Sequence, residues 1–373
     1  MVSSKSFVVI AAFSIIPVQC IDLNVTSTDS IKSASRIIAK DLTKSLGNDD
    51  QSFWALAAMS AAEARLVEVQ NHTWFDLANS VFNEQAARWD DKTCNGGLRW
   101  QIFSFNNGYT YKNSISNGNF FQLAARLAAY TGNSTYFDWA TRAWNWTKVS
   151  GIIDDDFNVF DGADISENCS SVNRIQFSES AGTFIAGAAY MYNYTNADNQ
   201  WKTSLDGLLN KTTSIFFPAG IATEIACESK NVCNIDQRAF KGLLGKWLVD
   251  TIQVAPYTED IINAKLTTTA QAAVKSCSDE GCALDWSSKE TNSSTGVGEQ
   301  IDALNYVQGL LHSQAVAPAT QNTSNATKVG SGDSTSTSAS AIASATKNAA
   351  VGIVLGQSVL SFSIFGFIAF LLL

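Results

Sequence analysis

One arrangement recurs along the chain and leaves few folds open to it. Residues 123–144, LAARLAAYTGNSTYFDWATRAW, and residues 185–209, IAGAAYMYNYTNADNQWKTSLDGLL, share one plan. An Ala-rich helix ends in Tyr-Thr, a short Gly/Asn turn follows, and an aromatic opens the next helix. The first helix of each pair is apolar almost all round, as a buried helix is; the second is amphipathic and belongs outside it. Helical hairpins repeating every ~60 residues, inner helix then outer, predict an α/α toroid whose inner helices surround a central cleft.

The rest of the chain agrees. No stretch alternates apolar and polar residues long enough to predict a sheet. Only four prolines occur, and the Gly and Asn clusters fall between helical runs. The class is all-α, with about ten helices near 27–42, 50–69, 73–88, 113–130, 134–149, 176–194, 198–214, 234–252, 256–276 and 296–312.

Both ends read as processing signals around a domain at 21–315. Residues 1–20 carry one cation, Lys5, then an apolar stretch from Phe7 to Val18, the pattern of a secretory signal peptide. Residues 316–348 are Ser/Thr/Ala-rich without period, a disordered stalk. Residues 349–373 end in an uncharged greasy tail, the pattern of a GPI-anchor propeptide, with Asn348 as the attachment residue. A plain transmembrane helix is the alternative; no Lys or Arg follows the tail to favour it. Ten Asn-x-Ser/Thr sequons, at Asn24, Asn71, Asn133, Asn145, Asn168, Asn193, Asn210, Asn292, Asn322 and Asn325, accord with export. Of seven cysteines, Cys20 falls in the signal peptide and six remain for an oxidising compartment. Cys227–Cys233 and Cys277–Cys282 close local loops, which leaves Cys94–Cys169; six cysteines allow 15 pairings.

The net charge of −9 argues against nucleic acid or anionic lipid as a partner. Ten tryptophans serve sugar stacking or core packing equally well. His72 and His312 are the only histidines, and no GxSxG, P-loop, dinucleotide fingerprint or HExxH occurs. No cofactor is called for, and carboxylates are the remaining tools. Cleaving a glycosidic bond needs two of them, one ionised and one protonated.

Residues 45–54, SLGNDDQSFW, supply an adjacent pair, Asp49 and Asp50. Capping is one reading: Asn48 or Asp49 as N-cap, with the next acid facing the positive end of the helix. Chemistry is the other. The helix that follows is apolar around its circumference, so the two carboxylates are held together in low dielectric. Their repulsion raises one pKa and the helix dipole keeps the other low.

Two further stretches carry polar chemistry. Residues 94–118 combine Arg99, Trp100, Asn106, Asn107, Tyr109 and Lys112, whose amides, cations and rings suit pyranose hydroxyls and faces; a glycine-turn hairpin is the plain alternative. Residues 151–170 hold an acidic cluster from which Asp155 and Asp156 are candidate sugar ligands; turn chemistry is the alternative. Asp154, Asp156 and Asn158 alternate like the start of an EF-hand, but its Gly and late Glu are not at the required offsets.

TKSLGNDDQSFWALAAMSAAE, AARWDDKTCNGGLRWQIFSFNNGYTYKNSISNG, LAARLAAYTGNSTY, IDDDFNVFDGA, GAAYMYNYTN and STGVGEQ together resemble the fungal Dfg5/Dcw1 group of glycoside hydrolase family 76. The resemblance spans most of residues 22–312. It implies an (α/α)6 barrel, with Asp49 as nucleophile and Asp50 as general acid/base of a retaining endo-α-1,6-mannosidase or transglycosidase. It implies as substrate the α-1,6-mannose of wall mannan or of GPI glycans, with wall β-glucan as an acceptor. It further implies a GPI-anchored monomer at the outer face of the plasma membrane and in the cell wall.

Two departures accompany the resemblance. Members carry one more helical hairpin before TKSLGNDD, so ten helices stand here for twelve and the toroid lacks a hairpin. The usual WSYNAG reads FSESAG, with Glu179 and Ser180 for Tyr and Asn; Gln176 and Glu179 join the candidate substrate ligands. The other reading of such a chain is a catalytically inactive mannan- or GPI-glycan-binding wall protein, from a truncated paralogue or an incomplete gene model.

Overall fold

The structure, a computed structural model, describes residues 26, 27, 29, 30, 32, 46–68, 72–287 and 295–323; from Gly47 onward the chain forms a compact unit of its own. The predicted signal peptide, most of helix 27–42, the stalk from 324, the anchor propeptide, and Asn24, Asn71, Asn292, Asn325 and Asn348 lie outside the described residues.

Nine of the ten predicted helices are present: α1 (Asn48–Glu63), α2 (Trp74–Ala87), α3 (Ser114–Thr131), α4 (Ser134–Val149), α5 (Ser178–Tyr194), α6 (Asn199–Phe216), α7 (Phe240–Val254), α8 (Glu259–Lys275) and α9 (Val297–Gly309). The expected alternation holds. α3 is buried at every residue from Ser114 to Ala128, and α5 from Ser178 to Met191. By contrast α2 buries only Ala78, Phe82 and Gln85. The inner helices pack in chain order, α1 on α3, α3 on α5, α5 on α7 and α7 on α9, with the outer helices against them. Among the described residues no comparable packing joins α9 back to α1. Small residues set the close spacing: a Cβ on Gly187 of α5 would stand 2.4 Å from the Phe121 ring of α3.

One buried charge cluster is well satisfied. Near the C-terminal ends of the inner helices, Arg126 of α3 donates to Glu63 of α1 at 2.6 and 3.1 Å and to Ser60 at 2.9 Å; Tyr190 of α5 donates to Glu63 at 3.0 Å. This pins three inner helices at the end opposite the first turns that carry Asp49 and Glu179.

Three differences from the sequence expectation appear. A short antiparallel sheet, β1 (Tyr111–Asn113), β2 (Gly162–Asp164) and β3 (Val172–Asn173), closes the loops before α3 and α5. Strands of two or three residues are too short to show alternation. The first helix stops at Glu63 rather than 69, because Arg65 adopts φ 55°. The helix expected from 234 begins at Phe240, after a single 3-10 turn at Gln237–Ala239. A two-residue pair, β4 (Cys277–Ser278) with β5 (Gly281–Cys282), carries one disulfide. The three bridges are Cys94–Cys169, Cys227–Cys233 and Cys277–Cys282, as expected.

Candidate active site

α1 begins where Gly47 pairs with Gln101 across an isolated bridge. Its first residue is locked from all sides. Asn48 N–H donates to Trp100 O at 2.8 Å, its side chain donates to Arg99 O at 2.8 Å and accepts from Arg88 at 2.9 Å, and its carbonyl accepts from Gln85 at 2.7 Å. Gly47 is the N-cap, rather than Asn48 or Asp49. One acid of the pair does the capping: Asp50, at N3, accepts the Gly47 N–H at 2.7 Å.

The other acid, Asp49, is held from a different loop. Asp49 Oδ2 accepts from Trp100 Nε1 at 2.9 Å, while its Oδ1 is sealed from solvent without a hydrogen-bond partner. Burial, then the charge of Asp50, push Asp49 up to about 7, against the Asp50 backbone N–H, the Trp100 indole and Asp49's own N–H. Asp50 is solvent-exposed yet also raised, by burial of its carboxyl and by the charge of Asp236, against the Gly47 N–H. A Cβ on Gly47 would lie 2.2 Å from Asp49 Oδ1 and 3.3 Å from Asp50 Oδ2. Those two oxygens are therefore no more than about 5.5 Å apart, below the ~6.5–9.5 Å of an inverting pair. The missing side chain at Gly47 makes room for both.

Trp100 is 37% exposed, so its ring reaches the surface beside Asp49 while its N–H holds that carboxylate. Gly108, at φ +91°, lies against the back of the indole, where a Cβ would stand 2.3 Å from the ring. Glu179 opens α5 and is 6% exposed. Burial, then the charges of Asp49, Glu224, Asp161 and Asp236, push its carboxyl well up. Glu224 accepts from the Ser178 N–H at 3.1 Å; burial raises it to about 7. Asp161 accepts from Tyr111 at 2.7 Å and from Asn173 at 2.9 Å, and is raised by burial.

Several expected ligands are committed elsewhere. Lys112 is fully buried, and its Nζ donates to the carbonyls of Asp90, Thr93 and Gly96 at 3.0, 2.7 and 2.6 Å. Burial lowers it to about 8, against Asp90. Arg99 is paired with Asp90 at 2.7 Å, donates to Tyr109 O and stacks over the Tyr109 ring at 4.5 Å. Burial raises Asp90, but Thr93 and the charges of Lys112 and Arg99 outweigh it and hold it at about 2. Lys112, Arg99 and Tyr109 thus build the 90–112 loop rather than face a ligand. Asn106 donates to Gln101 at 3.1 Å, and Asn107 is exposed. Asp155 and Asp156 sit exposed on a turn organised by Asp154, which accepts from the Asp156 and Asn158 N–H groups; the acidic run is turn chemistry. Gln176 is half-buried, just before α5.

Sequence reasoning missed Tyr111 and Glu224, which join this site through long-range contacts that no local pattern reports, and Gly47, whose contacts with Asp49 and Asp50 are local.

A family model described as glycosyl hydrolase family 76 matches residues 26–322. A Schizosaccharomyces pombe protein is 46% identical over 287 residues, which are 74% of this chain and 65% of that one; the chain thus spans under two thirds of this relative's length. Mannan endo-1,6-alpha-mannosidase DFG5 of Saccharomyces cerevisiae is 41% identical over 280 residues, 73% of this chain and 61% of that protein. The crystal structure of Dfg5 from Chaetomium thermophilum in complex with glucosamine matches with TM-score 0.72 and 43% identity, covering 75% of this chain and 72% of that one. The GH76A alpha-1,6-mannanase of Salegentibacter sp. HEL1_6 matches with TM-score 0.60 at 16% identity, over 77% of this chain and 83% of that chain, and shares the fold, an (α/α)6 barrel. The chain belongs to glycosyl hydrolase family 76.

Proposed function

We propose that this protein is a retaining α-1,6-mannosidase or transglycosidase of fungal cell-wall biogenesis, with Asp49 as nucleophile and Asp50 as general acid/base. One observation carries the reading: Asp49 is held by Trp100 through one oxygen and keeps the other, buried and unpartnered, beside Asp50. An oxygen without a hydrogen bond is free to bond an anomeric carbon. A desolvated carboxylate also gains most from the positive charge that develops there in the transition state. Asp50 is tethered by one oxygen and open to solvent, suited to protonate the departing sugar oxygen and later to activate water or an acceptor hydroxyl. The free site carries one proton shared by the pair, as such dyads do. It rests on Asp49 in the empty cleft and belongs on Asp50 when the leaving oxygen arrives.

The α-1,6-mannose of wall mannan or GPI glycans is the donor class that the relatives' names support. Wall β-glucan as acceptor, GPI anchoring at the outer face of the plasma membrane and a monomeric state complete the proposal. The test is turnover of α-1,6-mannotriose by the purified full chain, with the product anomer followed by NMR and loss on Asp49→Asn or Asp50→Asn. First-formed α product supports retention; first-formed β product contradicts it.

A second reading, a glycan-binding protein without turnover, draws on the lack, among the described residues, of α9–α1 packing comparable to that between the other inner helices. Mannotriose binding with no turnover, unchanged by either Asp substitution, favours it.

A further inference from the structure

Away from the catalytic cleft, a cavity of 480 Å³ opens on the outer face beside α4. That volume lies within the range of small-molecule sites, about 300–1,000 Å³. Its lining is unlike an apolar core gap. Trp89 and Trp146 meet edge to face at 6.0 Å between ring centres. Arg142 stacks over Trp89 at 5.2 Å and is tied to Asp91 at 2.7 Å. Asp138 and Asn95 stand exposed at the rim. Thr141 points a hydroxyl into this wall that is buried and lacks any hydrogen-bond partner. Val149 is 83% exposed at the far end, an apolar side chain with nothing over it. The two indoles, 9% and 6% exposed, form its floor, and the planar cation, acid and amide at its rim are groups that sugar hydroxyls contact.

Asn145 lines the same cavity and heads the sequon Asn145-Trp146-Thr147. Its side chain is exposed and spends no hydrogen bond within the chain, whereas Thr147 is buried and turns its hydroxyl back to Trp144 O at 2.8 Å. Thr141 and Val149 lie one helical turn to either side of Asn145. Residues so spaced have Cβ atoms about 5–6 Å apart, within the width of one sugar ring. The three disulfides accord with folding in an oxidising compartment, where N-glycans are added.

We infer that Asn145 carries an N-glycan whose first N-acetylglucosamine units lie in this cavity, against Arg142, Asn95 and Asp138 at its rim, and cover Val149. The glycan is then part of the folded surface. The outer wall at α4 is sealed by sugar. Because Thr147 is buried in a finished helix, the sugar is attached before α4 folds.

The inference is tested on the full chain secreted from a yeast host. Trypsin releases residues 143–148, AWNWTK, which hold this sequon alone. The expected result is a hexosamine on that peptide after trimming by endoglycosidase H. In the native protein the Asn145 glycan should resist PNGase F, while the glycan on Asn210, exposed on α6, is removed; denaturation should abolish the difference. Asn145→Gln should lower Tm where Asn210→Gln does not. An unmodified peptide 143–148 overturns the inference. So does a glycan that is removed as readily as that on Asn210 and leaves Tm unchanged when absent.

Discussion

Trp100 reaches across 51 residues of sequence to hold Asp49, its indole N–H 2.9 Å from Oδ2. The same residue's carbonyl accepts the Asn48 N–H at 2.8 Å, so one loop residue fixes both the start of α1 and the direction of its first carboxylate. Trp100→Phe keeps a ring in the cleft and removes the donor. It should cut kcat by about 10–100-fold, the scale of a lost positioning or charge-stabilising hydrogen bond. Because that bond lowers the Asp49 pKa, the alkaline limb of the kcat/KM profile should shift to higher pH. A shift to lower pH contradicts the assignment.

The pH profile itself follows from the shared proton. Asp49 sits at about 7 and Asp50 is raised from 3.8, so the singly protonated pair dominates on the acid side of neutrality. Above about 7 the last proton leaves, no general acid remains, and kcat/KM should fall with increasing pH. Initial rates on α-1,6-mannotriose from pH 3 to 9 check this.

The same shift is a stability cost. Asp49 in the folded state binds its proton more tightly than in the unfolded chain. Its penalty is therefore absent below about pH 4, grows as pH rises, and is complete above about 7. Asn at this position removes it. Asp49→Asn should match the parent's stability at pH 4 and exceed it at pH 8 by up to about 4 kcal/mol, at about 1.4 kcal/mol per pKa unit. Urea midpoints at the two values measure the difference.

Gly47→Ala separates the site from the scaffold. Its Cβ would collide with Asp49 Oδ1 at 2.2 Å and approach the Trp100 carbonyl at 3.1 Å. The φ of −82° is ordinary for alanine, so backbone strain is not the cause. Activity should be lost while helical circular dichroism and the Arg126–Glu63 end of the inner helices stay intact. Glu63→Gln does the reverse: it leaves Arg126 uncompensated, at about 3–5 kcal/mol of stability.

The features legible in the sequence were the local ones. Inner and outer helices announce themselves by how far round the apolar residues run, which is why 123–144 and 185–209 were enough to predict the alternation. Cys227–Cys233 and Cys277–Cys282 are legible for the same reason, and they leave Cys94 one partner. Side-chain roles assigned by residue type alone fared worse. Arg99 and Lys112 have the chemistry of sugar ligands, but Asp90 and three backbone carbonyls consume them. Asp155 and Asp156 look like a site and lie exposed on a turn. Glu179 was singled out because it departs from a pattern, and it stands electrostatically next to Asp49.

Azide rescue tests the assignment of Asp49 and Asp50 most directly. With an α-mannobiosyl fluoride donor, Asp49→Ala plus azide should yield the β-mannosyl azide, because azide fills the nucleophile's place on the β face. Asp50→Ala plus azide should yield the α-azide, formed from the covalent β-glycosyl-enzyme. An α-azide from Asp49→Ala, or undiminished turnover without azide in that variant, would contradict the account.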